Sequence, residues 1–152
     1  MKRTVAILVI GILLLTFCSC ADNRQNTEID INSLGEYVAE NGAFSEKLEP
    51  VSSQTALMSF GLEDSGAEAV EYATSSAVAE IFAAFKGDDV DLIRKAVQEK
   101  IDYLKESYAS YGPQEVPKIE SAVLITQGNC VIFCISADNT DAKNLIEDFI
   151  NK

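Results

Sequence analysis

Ser121-Ala122-Val123-Leu124-Ile125-Thr126-Gln127-Gly128-Asn129-Cys130-Val131-Ile132-Phe133-Cys134-Ile135-Ser136 places two β-branched, apolar runs on either side of a Gly-Asn pair. A two-residue loop of this kind is a hairpin turn. The turn sets the register. Thr126 then opposes Val131, Leu124 opposes Phe133 and Ala122 opposes Ile135 on one face. Ile125 with Ile132 and Val123 with Cys134 make the other. Both faces are apolar, so this hairpin is either covered on both sides or has a partner on its outer face. Cys130 and Cys134 share one face of one strand, roughly 13 Å apart, which is beyond disulfide reach. They read as small buried hydrophobes, reduced in the monomer.

Helical patterns flank the hairpin. Upstream, Val90, Ile93, Val97, Ile101, Leu104, Tyr108 and Tyr111 recur at spacings of three and four, giving one apolar stripe over Asp88–Tyr111. Asp88 and Asp89 suit the N-terminal end of that dipole, and Gly112-Pro113 stops the helix. A Ca²⁺ reading of Asp88, Asp89 and Asp91 lacks the ligand spacing and distal Glu of a calcium loop, and capping is preferred. Downstream, Asp138–Ile150 turns Ala142, Leu145, Ile146 and Phe149 inward. Nearer the N-terminus, Asn32 or Ser33 caps a short helix to about Glu40, ended by Asn41-Gly42. Ser52 or Ser53 opens a second, stopped at Gly61. Ala69–Thr74 alternates like a strand. Ala77–Phe85, rich in alanine, has high helix propensity and only weak alternation.

The chain begins with Lys2 and Arg3, followed by thirteen residues, Val5–Phe17, that are apolar apart from Gly11 and Thr16. A membrane span needs about 20 apolar residues, so this reads as a signal peptide over 1–19. Its end, Leu15-Thr16-Phe17-Cys18-Ser19-Cys20, resembles a lipobox with Cys20 as the lipidated residue. Phe17 stands where that pattern usually has Leu. Residues 20–28 are then the lipidated cysteine and a polar tether, and 29–152 a single α+β domain. Two acyl chains hold far more firmly than one, at about 0.8 kcal/mol per buried methylene.

Cleavage after Ser19 takes the 152-residue precursor to 133 residues, enough for a sizeable core. The precursor has 12 basic and 24 acidic residues, and loss of Lys2 and Arg3 shifts its net charge from −12 to −14. Such a surface repels phosphate backbones, which excludes nucleic acid, and an anionic bilayer, which lifts the domain off its anchor. The chain has no histidine. That removes Ser-His-Asp and Cys-His catalysis and histidine-bound zinc. No cofactor or metal is expected.

Several features together resemble a family of small bacterial lipoproteins, the domain of unknown function four-three-five-eight. They are Glu80-Ile81 leading an apolar run to Lys86, a long helix ending Ser110-Tyr111-Gly112-Pro113, a hairpin with Gly128, and a C-terminal helix. The resemblance covers about residues 30–150. It implies that Ala77–Lys86 is a strand, against its helix propensity, and it implies location and fold but no chemistry. The fold expected is α+β. Two hairpins, Ala69–Lys86 and Ser121–Ser136, form one antiparallel sheet, each followed by a helix (β-β-α twice), with two short N-terminal helices over the remaining apolar surface.

Function follows from what is present and what is missing. The first reading is a non-enzymatic module on the extracytoplasmic face of the cell membrane, held by lipid on Cys20, that binds an envelope protein, a peptide or a glycan. The second is a hydrolase of envelope glycans using a carboxylate pair from Glu68, Glu71 and Glu80. The third is an assembly factor that packs a sheet face against a membrane complex.

Overall fold

The computed structural model describes residues 28–74 and 78–152. The expected signal peptide, the expected lipidation site Cys20 and the expected tether up to residue 27 lie outside them. The chain builds, in order, α1 (Ile31–Asn41), β1 (Glu49–Val51), α2 (Ser53–Ser59), β2 (Glu68–Ala73), β3 (Ile81–Lys86), α3 (Val90–Tyr111), a 3-10 turn (Pro113–Glu115), α4 (Val116–Glu120), β4 (Val123–Gln127), β5 (Cys130–Ile135) and α5 (Asn139–Ile150). The fold is α+β, and the described residues form five strands in one antiparallel sheet of order β1-β2-β3-β5-β4 and five α-helices.

The Gly128-Asn129 hairpin has the expected register, with Val123 opposite Cys134, Leu124 opposite Phe133, Ile125 opposite Ile132 and Thr126 opposite Val131. Gly128 has φ +59° and, among the described residues, no non-glycine residue has positive φ, so Asn129 does not, the pattern of a type II′ turn. Ala122 stops one residue short of the ladder, because its N–H bonds back to Ile119 (3.1 Å).

β3 is the central strand, flanked by β2 and β5, and every residue of β5 is buried. Helices therefore cover both faces. On one face, Phe60 at the C-terminal end of α2, Ile93 and Val97 of α3 and Ile119 of α4 pack on Ala83, Phe85, Val131 and Phe133. On the other, Leu34 and Val38 of α1 and Ala142 and Ile146 of α5 pack on Phe82, Ala84, Ile132 and Cys134. Fully burying each of Phe82, Phe85 and Phe133 contributes about 1.5–3 kcal/mol. Cys130 and Cys134 are free and buried on the α1–α5 face.

Several details differ from the sequence expectation. Residues Ile81–Lys86 are strand, so tertiary context overrides the helix propensity of the alanines. The strand starts at Ile81, with Ala79 and Glu80 buried just before it, and Ala77 of the expected span lies outside the described residues. Both hairpins are followed by helices, but α3 and α5 lie on opposite faces, so the two β-β-α units are not equivalent. β1 and α4 are additional. The α1 cap is Asp30, whose carboxylate accepts from the N–H groups of Asn32 (3.0 Å) and Ser33 (3.3 Å), rather than Asn32 or Ser33 itself. Gly42 ends α1 at φ −75°, with no left-handed step. Asp89 caps α3 by accepting from Leu92 N–H (2.9 Å), which moves the helix start to Val90. Tyr111, expected inward, is 63% exposed, since its ring stacks on Tyr108 from outside.

Candidate functional site

Buried acids locate the site. The three carboxylates considered for catalysis go to three places. Glu68 is exposed. Glu71 is 7% exposed on the α2–α3 face, where it accepts from Ser59 Oγ (3.3 Å). Burial raises its pKa, only partly offset by Lys100 and the Ser59 bond. Glu80 is 2% exposed and anchors a polar network at the end of the sheet opposite the Gly128 turn. No two of the three form a pair.

Ser45 donates its N–H (2.6 Å) and its hydroxyl (2.5 Å) to the Glu80 carboxylate, and Lys118 Nζ donates to Glu80 Oε1 at 2.8 Å. Lys118 also reaches Glu115 Oε2 (3.0 Å), which accepts from Ala79 N–H at 3.0 Å. One ammonium thus bridges two carboxylates whose side chains are 0% and 10% exposed. Burial would raise the Glu80 pKa, but the hydrogen bonds from Lys118 and Ser45 outweigh it and hold the group below its ordinary 4.5. Burial likewise pulls Lys118 down, and its bonds to Glu80 and Glu115 reverse that and raise it.

The network joins elements distant in sequence. It ties the loop after α1, the segment before β3 and α4 to one point. Asn139, at the start of α5, extends it by donating to Lys118 O (2.8 Å) and Ser121 Oγ (2.9 Å). Ala137 N–H closes the ring on Ala43 O (2.8 Å).

Between these fixed walls runs an open groove of about 910 Å³. Its floor is Ala122 and the first part of β4, Val123, Leu124 and Ile125. Pro117, Lys118 and Ser121 form one wall, and Asp138, Asn139 and Lys143 form the other. The lining is nearly neutral. Lys118 is committed to the two glutamates, Lys143 lies 3.7 Å from Glu147, and Asp138 accepts from the N–H groups of Thr140 and Asp141. Among the described residues, no group of three or more Cys, Asp or Glu is placed to hold a metal ion, and no helix is long and apolar enough to cross a membrane.

A family model described as Domain of unknown function (DUF4358) matches residues 40–136. The chain belongs to this family. No curated protein and no solved structure gives a match. The DUF4358 span contains Ser45, Glu80, Glu115, Lys118 and the whole of β4, and ends before α5. Its Tyr111-Gly112-Pro113 segment has a structural use. Gly112 N–H ends α3 on Tyr108 O (2.8 Å), and Pro113 starts the 3-10 turn that delivers Glu115 to Ala79.

Sequence reasoning found Glu80 but not its partners. Two signals were present. Glu80 is a lone acid between Ala79 and Ile81, and a buried acid needs a cation. Glu115 and Lys118 stand three apart on either side of Val116-Pro117, a spacing at which helical side chains meet.

Proposed function

We propose that the chain is a membrane-anchored, extracytoplasmic binding module, non-catalytic, held by lipid on Cys20. The observation that carries this reading is the open groove along the β4 edge, with walls fixed by a buried ionic network. The close carboxylates at the site, Glu80 and Glu115, share Lys118 and accept from Ser45 and Ala79, so they are engaged in structure rather than poised for proton transfer.

Chain direction supports the same reading. The described chain enters at Glu28, which forms an ion pair with Lys86. Lys86 pairs with Cys130, beside the Gly128 turn. The groove walls at Lys118 and Asn139 stand at the other end of the sheet. An anchor on the N-terminal side therefore leaves the groove facing away from the membrane.

The test is site-specific photocrosslinking in intact cells. A photoreactive residue at Gln114 or Ile125, beside or in the groove, is expected to give a defined adduct. The same residue at Met58, 62% exposed on α2, is expected to give none. In parallel, the purified protein is incubated with cell-wall glycan. Release of reducing ends that disappears in Glu80→Gln or Glu115→Gln would instead establish the hydrolase reading.

A further inference from the structure

The two edges of the sheet are built differently. β1 is three residues long, contains Pro50 and Glu49, and follows Lys47, which pairs with Glu49 at 3.0 Å. Shortness, proline and charge are the devices by which an edge is blunted against further pairing. β4 has none of them. Val123-Leu124-Ile125-Thr126-Gln127 is five residues of uncharged, mostly β-branched or apolar strand with no proline.

The hairpin register specifies which groups β4 leaves free. A two-residue loop makes Gln127–Cys130 a hydrogen-bonded pair, and Ile125–Ile132 and Val123–Cys134 follow at alternate positions. Leu124 and Thr126 therefore aim both N–H and C=O away from β5. Four backbone groups, in strand geometry, lie along the free edge of the sheet, with Leu124 in the groove and Thr126 just beyond its lining residues, where Thr126 Oγ1 accepts from Arg94 Nη1 (3.0 Å).

We infer that the β4 edge is a docking site at which an extended segment of another polypeptide, alternating apolar residues and free of acidic side chains, adds as a further strand. This rests on the reading of the chain as a binding module and names the partner chemistry. Main-chain bonds to Leu124 and Thr126 supply affinity, and the walls select alternate side chains. Charge sets the class of partner. The chain carries a net −12, while the groove lining is close to neutral. An uncharged strand enters without desolvating unpaired charge, whereas an acidic one meets the repulsive field of the whole domain. The same field disfavours a second copy. Symmetric β4–β4 pairing would also bring the α4 and α5 walls of the two copies against each other, whereas a single strand fits between them.

The test uses the mature, lipid-bearing protein in detergent micelles and a synthetic peptide. The peptide is about nine residues, alternating valine and threonine between terminal lysines, long enough at ~3.3 Å per residue to span β4. Amide hydrogen exchange is followed residue by residue. Leu124 and Thr126 are expected to exchange fast in the free protein and at least about tenfold more slowly with the peptide bound. Val123 and Ile125, already bonded to β5, stay unchanged. A peptide with glutamate ends binds about tenfold more weakly at low salt, and the gap closes as salt is added. Thr126→Pro removes an outward N–H that the β4–β5 ladder does not use and should abolish binding. If that variant does not fold, the wild-type exchange pattern still decides. Peptide binding without protection of Leu124 and Thr126 overturns the edge inference and leaves the binding-module reading intact. So does protection of both amides in the free protein together with a doubled mass, which would mean that a second copy holds the edge. Failure to bind the peptide at any concentration also overturns the inference. Glycan turnover lost in Glu80→Gln removes the underlying reading as well.

Discussion

Lys118→Met separates an ionic keystone from ordinary packing. Methionine keeps most of the length and volume of the lysine stem and removes only the ammonium. The ammonium bonds Glu80 at 2.8 Å and Glu115 at 3.0 Å, with Lys118 19% and Glu80 0% exposed at the side chain. Removing one partner of a buried pair leaves an uncompensated charge and costs about 3–5 kcal/mol. The slight exposure of Lys118 places the expected loss near the lower end, about 3 kcal/mol at pH 7. The pH dependence carries the sign. In the wild type the Glu80 pKa is depressed, so its contribution is complete above its ordinary 4.5 and is lost as pH falls through the lower folded value. In the variant, burial acts with less opposition and raises the Glu80 pKa. Acid then neutralises the stranded carboxylate, so the deficit of the variant shrinks as pH falls. Urea unfolding followed by circular dichroism between pH 4 and pH 8 measures both. The double variant Glu80→Gln/Lys118→Met should recover about half of the loss, a coupling typical of contacting residues. A loss under about 1 kcal/mol, or one that does not change with pH, would refute the argument that the network holds the site together.

Burial pushes the Cys134 thiol up to about 12 and raises that of Cys130, so neither should label in the native protein at pH 8 and both should label after denaturation. Cys134→Ser should cost about 1–3 kcal/mol by urea titration, more than Cys134→Ala. Gly35 lets α1 sit against the sheet, where an added Cβ would lie 2.7 Å from Val70 Cγ1 and 2.9 Å from Tyr72 Cε2. Gly35→Ala is therefore expected to lower stability by about 1–3 kcal/mol despite its better helix propensity, and a stabilised variant would contradict that packing. Cys20→Ala should abolish incorporation of labelled palmitate, and label that persists would disprove the anchor assignment.

Legibility in the sequence followed the range of the interaction. The Gly128 hairpin was readable down to its cross-strand partners from Val123 to Thr126, because side chains alternate and the turn fixes the phase. The expected Ala122–Ile135 pair is absent because Ala122 N–H turns back to Ile119. The α3 stripe was readable for the same local reason. β3 was not readable from its own residues, since Ala83 and Ala84 prefer helix. It is a strand because β2 and β5 pair with it on both sides. β1 was invisible, as Glu49-Pro50-Val51 is too short to alternate and contains a proline. The network was hidden for a different reason. Glu80 lies 35 residues from Ser45 and 38 from Lys118, and no periodic pattern links positions so far apart.

The network and the β4 edge explain each other. An unprotected strand edge is an aggregation hazard, and it is tolerable when walls restrict what can reach it. Here the walls are α4, five residues long, and the N-terminal turn of α5. Neither is long enough to be stable by its own propensity. Burial of Ile119 packs α4 on the sheet, the bond from Lys118 to Glu80 fixes its position there, and Asn139 on Lys118 O and Ser121 Oγ ties the start of α5 to it. A buried ion pair is a poor way to gain stability compared with apolar packing of the same volume. It is a good way to fix relative position, because its geometry is directional. If the walls depend on that geometry, Lys118→Met should weaken strand addition at Leu124 and Thr126 even under conditions where the sheet stays folded. Distortion of the groove would then precede loss of the fold.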